Sequence, residues 1–214
     1  MKFQISNINF SSIIINILAL MIVIIPHEIS HGYVAYWCGD NTAKYDGRLS
    51  LNPLKHIDPI GLICMVVLRF GWAKPVPINT SNFTKNKRLS TFLVSIAGVC
   101  MNLLMGLIAG IFLVYVYYKN LFIRPLLEAI FWYSIMLGVF NFLPLPPLDG
   151  SKVLLSFLPY KYHHFFYKYE KYFYLILVVL LFNGTVSKVI GPIIDFIMEE
   201  ILKLGVIIWN IILF

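Results

Sequence analysis

Long apolar runs alternate with short polar connections along this chain. The first run, residues 13–37, is about the length a helix needs to cross bilayer hydrocarbon, and it predicts a spanning helix over about 11–37 that carries Pro26. Asp40 to Pro59 is polar and rich in turn residues, and reads as a loop or a pair of short strands. The apolar stretch Ile60–Phe70 is too short to cross upright, so a re-entrant element over about 58–71 is expected. Trp72–Asn79 follows. Pro75 and Pro77 bar it from the middle of a sheet and leave an edge strand or a lining loop. A second spanning helix is predicted over about 91–118, with Gly98, Asn102, Gly106 and Gly110 spaced for close helix packing. A third, over about 125–142, ends at the proline-broken segment Leu143–Gly150. Tyr160–Tyr174 mixes Tyr, Phe, Lys and His as the headgroup interface favours. One or two further spans are expected beyond it, split by Asn183-Gly184 and interrupted at Gly191-Pro192. The pattern predicts an all-α, polytopic transmembrane helical bundle with short re-entrant or strand elements. Residues 1–155 form its membrane core, and 156–214 add an interfacial segment and the remaining spans.

Composition agrees: 59% of the 214 residues are hydrophobic and only 13% are charged. A net charge of +7 raises nucleic acid as a partner, but the cations sit in the polar connections between apolar runs, so no nucleic-acid binding is expected. Loops 40–56, 72–90 and 151–171 hold most of them, whereas the turn at 119–124 has only Lys119 and Arg124. The basic loops should therefore be cytoplasmic and the amino terminus outside, in a multi-pass protein of the cell membrane. Lys2 and the first apolar run resemble a secretory signal, but no small-residue cleavage site follows, and an uncleaved first span is expected. Cys38, Cys64 and Cys100 show no pairing pattern and read as small core residues.

The first run ends in His27-Glu28-Ile29-Ser30-His31. On a helix, two imidazoles four residues apart share one face and can grip one Zn²⁺, while Glu28 can reach a water held by the metal. A general base beside a Lewis acid is what peptide hydrolysis requires. Ionisable groups in an apolar run are also costly enough to mark a functional site. A catalytic zinc commonly has a third protein ligand. No Glu occurs between Glu28 and Glu128, and Trp37 stands where a distal His would, which leaves Asp40, Asp46, His56, Asp58 and Asp149. Asp149 stands out, since an unpaired carboxylate after an apolar helix and a proline-broken segment is expensive. The alternative is an Asx-turn residue in Asp149-Gly150. His56 and Asp58 are expected to order their own loop, His163 and His164 to anchor at the interface, and Trp72 to pack or sit at the interface.

His-Glu-Ile-Ser-His-Gly (27–32), Gly-Arg-Leu-Ser-Leu-Asn-Pro-Leu-Lys-His-Ile-Asp-Pro-Ile-Gly (47–61), Gly-Trp-Ala-Lys-Pro-Val-Pro-Ile-Asn (71–79) and Asn-Phe-Leu-Pro-Leu-Pro-Pro-Leu-Asp-Gly (141–150) together resemble the site-2 protease family of intramembrane zinc metalloproteases. The likeness covers roughly residues 12–155 in order. It implies His27, His31 and Asp149 as zinc ligands, Glu28 as catalytic base, and Asn102 as a polar group that positions substrate or stabilises the developing oxyanion. The chain departs from the family pattern at Val99, where Pro is usual. The expected activity is cleavage of membrane-protein substrates in or near their transmembrane segments, with the active site toward the cytoplasm. An edge strand at Trp72–Asn79 could hold an extended substrate by strand addition. The alternative functions are a zinc-binding transporter, which would not need Glu28 as a base, or a non-proteolytic scaffold.

Overall fold

A backbone in hydrocarbon must satisfy its own N–H and C=O groups, so the apolar runs fold as helices. The computed structural model describes residues 10–58, 61, 74–84, 86–119 and 121–213. Helix α1 spans Phe10–Trp37 and continues through Pro26. The short α2, Thr42–Tyr45, follows, and then a single 3₁₀ turn at Pro53–Lys55. A second 3₁₀ turn at Thr80–Asn82 leads toward α3, Lys87–Lys119. Next come α4 (Arg124–Asn141), α5 (Asp149–Phe157), α6 (Tyr160–Phe182) and α7 (Thr185–Leu213).

Helix α3 is the central post and packs against α1, α4, α5 and α7. Glycines allow this closeness: a Cβ at Gly110 would lie 2.7 Å from the Phe131 ring of α4, and one at Gly205 of α7 would lie 2.9 Å from Val114. The main apolar core gathers Ala109, Leu113, Phe131, Ile135, Leu177 and Ile190 from α3, α4, α6 and α7. The opposite faces are apolar as well. Ile14, Leu18 and Ile22 on α1, and Leu104, Ile108 and Phe112 on α3, form exposed stripes with a four-residue repeat. Such stripes belong in lipid.

Among the described residues, two helical segments, Ser11–Trp37 and Lys87–Lys119, are long and apolar enough to cross a membrane, matching the spans expected over 11–37 and 91–118. The α6–α7 pair, bent by 74° at Asn183-Gly184, gives a third if it counts as one span. Gly184, at φ +73°, supplies the left-handed turn at that break. The helix expected over 125–142 is α4, but at 18 residues with Arg124 and Glu128 it is not among these candidate spans. The interruption expected at Gly191-Pro192 does not occur, and α7 runs straight through it. The segment 160–174, expected at the interface, is the first two thirds of α6.

Among the described residues there is no strand, and Lys74–Asn79 runs as an irregular segment because Pro75 and Pro77 have no N–H to give a ladder. Apart from Asp58 and Gly61, the expected re-entrant element 58–71 lies outside the described residues, as do Trp72 and Cys64. Cys38 sits in a small apolar cluster with Ala35, Phe83 and Val94, as expected of a core thiol. Cys100 does not: it faces outward from α3, where a helix in lipid gains from any small apolar residue.

Asp40 ties the 74–84 segment to the end of α1. Its carboxylate accepts from Asn79 N (2.7 Å), Asn82 Nδ2 (2.8 Å) and Thr42 N (3.1 Å). Burial alone would raise its pKa, but these bonds and that from the Thr42 hydroxyl outweigh it and hold the carboxyl below its ordinary value.

Candidate metal centre

One helical turn of α1 carries both histidines to the side that faces α3. His27 Nε2 and His31 Nε2 stand 3.2 Å apart, and both rings are buried. Asp149 reaches them from the first turn of α5, with Oδ2 3.3 Å from His27 Nε2 and 3.1 Å from His31 Nε2. Three ligands at about 2.0–2.1 Å from a tetrahedral Zn²⁺ stand roughly 3.3 Å from one another, so this triangle fits the ion. Among the described residues it is the only group of three or more His, Cys, Asp or Glu side chains close enough to share one.

The surroundings prepare the donors. His31 Nδ1 donates to the Val94 carbonyl of α3 (2.6 Å), which leaves Nε2 with its lone pair toward the triangle. The Lys152 ammonium, 3.7 Å from Asp149 Oδ1, favours the charged form of that carboxylate. Gly150 brings Asp149 into place: a Cβ there would overlap the Phe142 carbonyl and lie 2.5 Å from that of Leu143, so only glycine lets α5 start so near the end of α4. Gly98 of α3 forms the floor, where a Cβ would overlap His31 Nε2 and stand 2.5 Å from His27 Cε1.

The triangle lies in the wall of a cavity of about 790 Å³. Glu28 and Asn102 line it too. Glu28 accepts from the Val76 backbone N–H through Oε2 (3.0 Å). Asn102 is completely buried, and its Oδ1 and Nδ2 have no hydrogen-bond partner among the described residues. Burying such an amide is costly. His163, Tyr174 and Leu177 of α6 also line the cavity, so residues beyond 155 help to build it.

The structure thus brings His27, Glu28, His31, Asn102 and Asp149 around one space. The other third-ligand candidates lie elsewhere. Asp40 is engaged as described, His56 Nε2 bonds the Ser50 carbonyl (2.7 Å), and Asp58 accepts from Gly61 N (2.9 Å). The last two order their loop, as the sequence suggests. His163 bonds the Leu155 carbonyl (2.9 Å) and faces the cavity, a placement its aromatic, basic neighbours do not signal. The sequence does not place Gly98 or Val76 at the site. Only the repeated small residues of α3 hinted at the first.

The model of "Peptidase family M50" matches residues 118–184, which include Asp149. The chain is 38% identical over 196 residues to "Putative zinc metalloprotease YwhC" of Bacillus subtilis, covering 88% of this chain and 89% of that one. It is 30% identical over 177 residues to "Putative zinc metalloprotease Rip2" of Mycolicibacterium smegmatis, covering 76% of this chain and 64% of the relative. No solved structure matches significantly. Similarity across nearly the whole of a zinc metalloprotease relative, with apolar membrane helices, makes this chain a member of peptidase family M50, the site-2 protease family.

Proposed function

We propose that this membrane metallopeptidase cleaves peptide bonds in or near the transmembrane segments of other membrane proteins, at a zinc site facing the cytoplasm. The observation that carries this reading is the buried triangle of His27, His31 and Asp149 donor atoms beside a carboxylate in a large cavity. His27, His31 and Asp149 would hold Zn²⁺. When bound, it supplies a Lewis acid that lowers the pKa of water and polarises the scissile carbonyl.

The remaining work falls to the chain. Glu28 Oε2 is held by Val76 N–H, which leaves Oε1 to take the proton from the attacking water and pass it to the leaving nitrogen as the C–N bond breaks. Asn102 Nδ2, buried without a partner among the described residues, is the donor for the carbonyl oxygen as negative charge gathers there. A substrate helix hides its carbonyls in its own hydrogen bonds, so it must unwind before the cut, in the cavity that Pro75, Val76 and Ile78 help to line. The basic segments 40–56, 72–90 and 151–171 support a cytoplasmic opening, from which water enters.

The test is cleavage of a panel of tagged single-span proteins by the purified chain in lipid, beside Glu28→Gln, with bound metal quantified in both. Cleavage by the wild type, lost in Glu28→Gln while metal stays, is expected. Cleavage by Glu28→Gln at the wild-type rate would remove Glu28 from the mechanism. Metal bound without cleavage of any substrate would favour transport or scaffolding.

A further inference from the structure

Arg48 is buried at 7% exposure, yet among the described residues it forms no ion pair, and its Nε has no hydrogen-bond partner. A buried guanidinium without a carboxylate is a costly way to tie down a loop. Its partners are two successive backbone carbonyls: Nη2 donates to Lys74 O (2.8 Å) and Pro75 O (3.2 Å). The second is the informative one. Pro75 C=O and Val76 N–H belong to the same peptide group, and in a trans peptide they point in opposite directions. Arg48 therefore holds the oxygen end of this group while the nitrogen end points at Glu28 Oε2, 3.0 Å away. The positive charge at the oxygen also polarises the N–H and strengthens the bond it gives to the carboxylate. Lys74 N, bonded to the His56 carbonyl (2.9 Å), and Asn79 N, bonded to Asp40, fix the segment on either side.

We propose that Arg48 is a positioning residue for the general base, acting through the Pro75–Val76 peptide group to fix the Glu28 carboxylate in the cavity wall. The inference deepens the protease reading and rests on it for its kinetic part. Arg48 gives its hydrogen bonds to the Lys74 and Pro75 carbonyls and not to the metal ligands; its effect is to remove the freedom of the side chain that must meet the proton.

The test uses the full chain in lipid, with Arg48→Ala and Val76→Pro compared with wild type. Val76→Pro removes the N–H while leaving Arg48 in place, so it separates the positioning effect from loss of the arginine's packing. Hydrogen exchange over residues 74–79, bound metal, and kcat and KM on a tagged single-span substrate are the readouts. In Arg48→Ala the Val76 amide is expected to lose protection and kcat to fall about 100-fold, as a displacement near 1 Å typically costs, with KM and bound metal little changed. Added guanidinium ion should restore part of the rate. Val76→Pro should lose kcat to a similar degree. Wild-type kcat in either variant overturns the proposal. So does a loss in Arg48→Ala that follows metal loss and resists guanidinium, which marks a structural role only. If the wild type cleaves nothing, the protease reading fails separately. The exchange measurement then decides whether the clamp exists: unchanged protection of the Val76 amide in Arg48→Ala overturns it, and lost protection upholds it.

Discussion

Gly98→Ala is a single-methyl change at the floor of the metal triangle. The added carbon would stand 2.5 Å from His27 Cε1 and 2.7 Å from His27 Nδ1, and would overlap His31 Nε2. Carbon atoms in contact prefer about 3.5–4.0 Å, so roughly 1 Å of overlap must be relieved. Either α1 moves away from α3 or both imidazoles turn. A metal site tolerates ligand displacements of only about 0.2 Å, so neither adjustment preserves it. Misplacement of 1 Å typically costs about 100-fold, and metal affinity should fall by at least that much. Overpacking also costs about 1–3 kcal/mol of stability, so a control with the same strain elsewhere is needed. Gly106→Ala supplies it, because its methyl would press on Ile135 Cγ1 at 3.0 Å, one helical turn past Asn102 and away from the triangle. The assay is competition for Zn²⁺ with a chromophoric chelator, alongside thermal unfolding of both variants. Loss of affinity in Gly98→Ala with retention in Gly106→Ala is expected. Wild-type affinity in Gly98→Ala would refute the assignment of this triangle as the metal site.

Other substitutions probe the remaining parts. Asp149→Ala should abolish stoichiometric metal binding, measured on purified protein after chelating resin, since two ligands remain where three are needed. Glu28→Gln should keep its metal and lose about 10²–10⁴-fold in cleavage rate, the usual range for a general base. Asn102→Leu should lower kcat about 10²–10³-fold while raising the unfolding temperature, because it replaces a buried amide that has no partner among the described residues and contributes only to turnover; a fall in both would make Asn102 structural. Asp40→Asn should weaken the 74–84 segment at neutral pH. The folded pKa of Asp40 lies below its unfolded value near 3.8, so its stabilisation is fully present above about pH 4 and fades as pH falls through the folded value. Unfolding curves of wild type and variant should therefore converge as pH falls below 3.8 and through the folded pKa of Asp40.

Much of this protein is written locally. Residues four apart on a helix share a face, so His27 and His31 could be paired from spacing alone, and the cost of charge in an apolar run singled out Glu28 and Asp149. The limits of α1 and α4 were legible to within a residue or two, because long apolar runs have no other stable backbone in lipid. Gly191-Pro192 misled, since packing against α3 and α4 sustains the helix past a residue that lacks its N–H. What local pattern does not carry is which distant groups meet. The Val94 carbonyl orients His31 from 63 residues away, Gly98 is small because two imidazoles need its space, and Arg48 reaches Glu28 through a peptide group 27 residues beyond it. Spacing along one helix dictates which donors can act together, but the tautomer, the room and the orientation they need are set by neighbours that only the packing of α1, α3 and the 74–79 segment brings near.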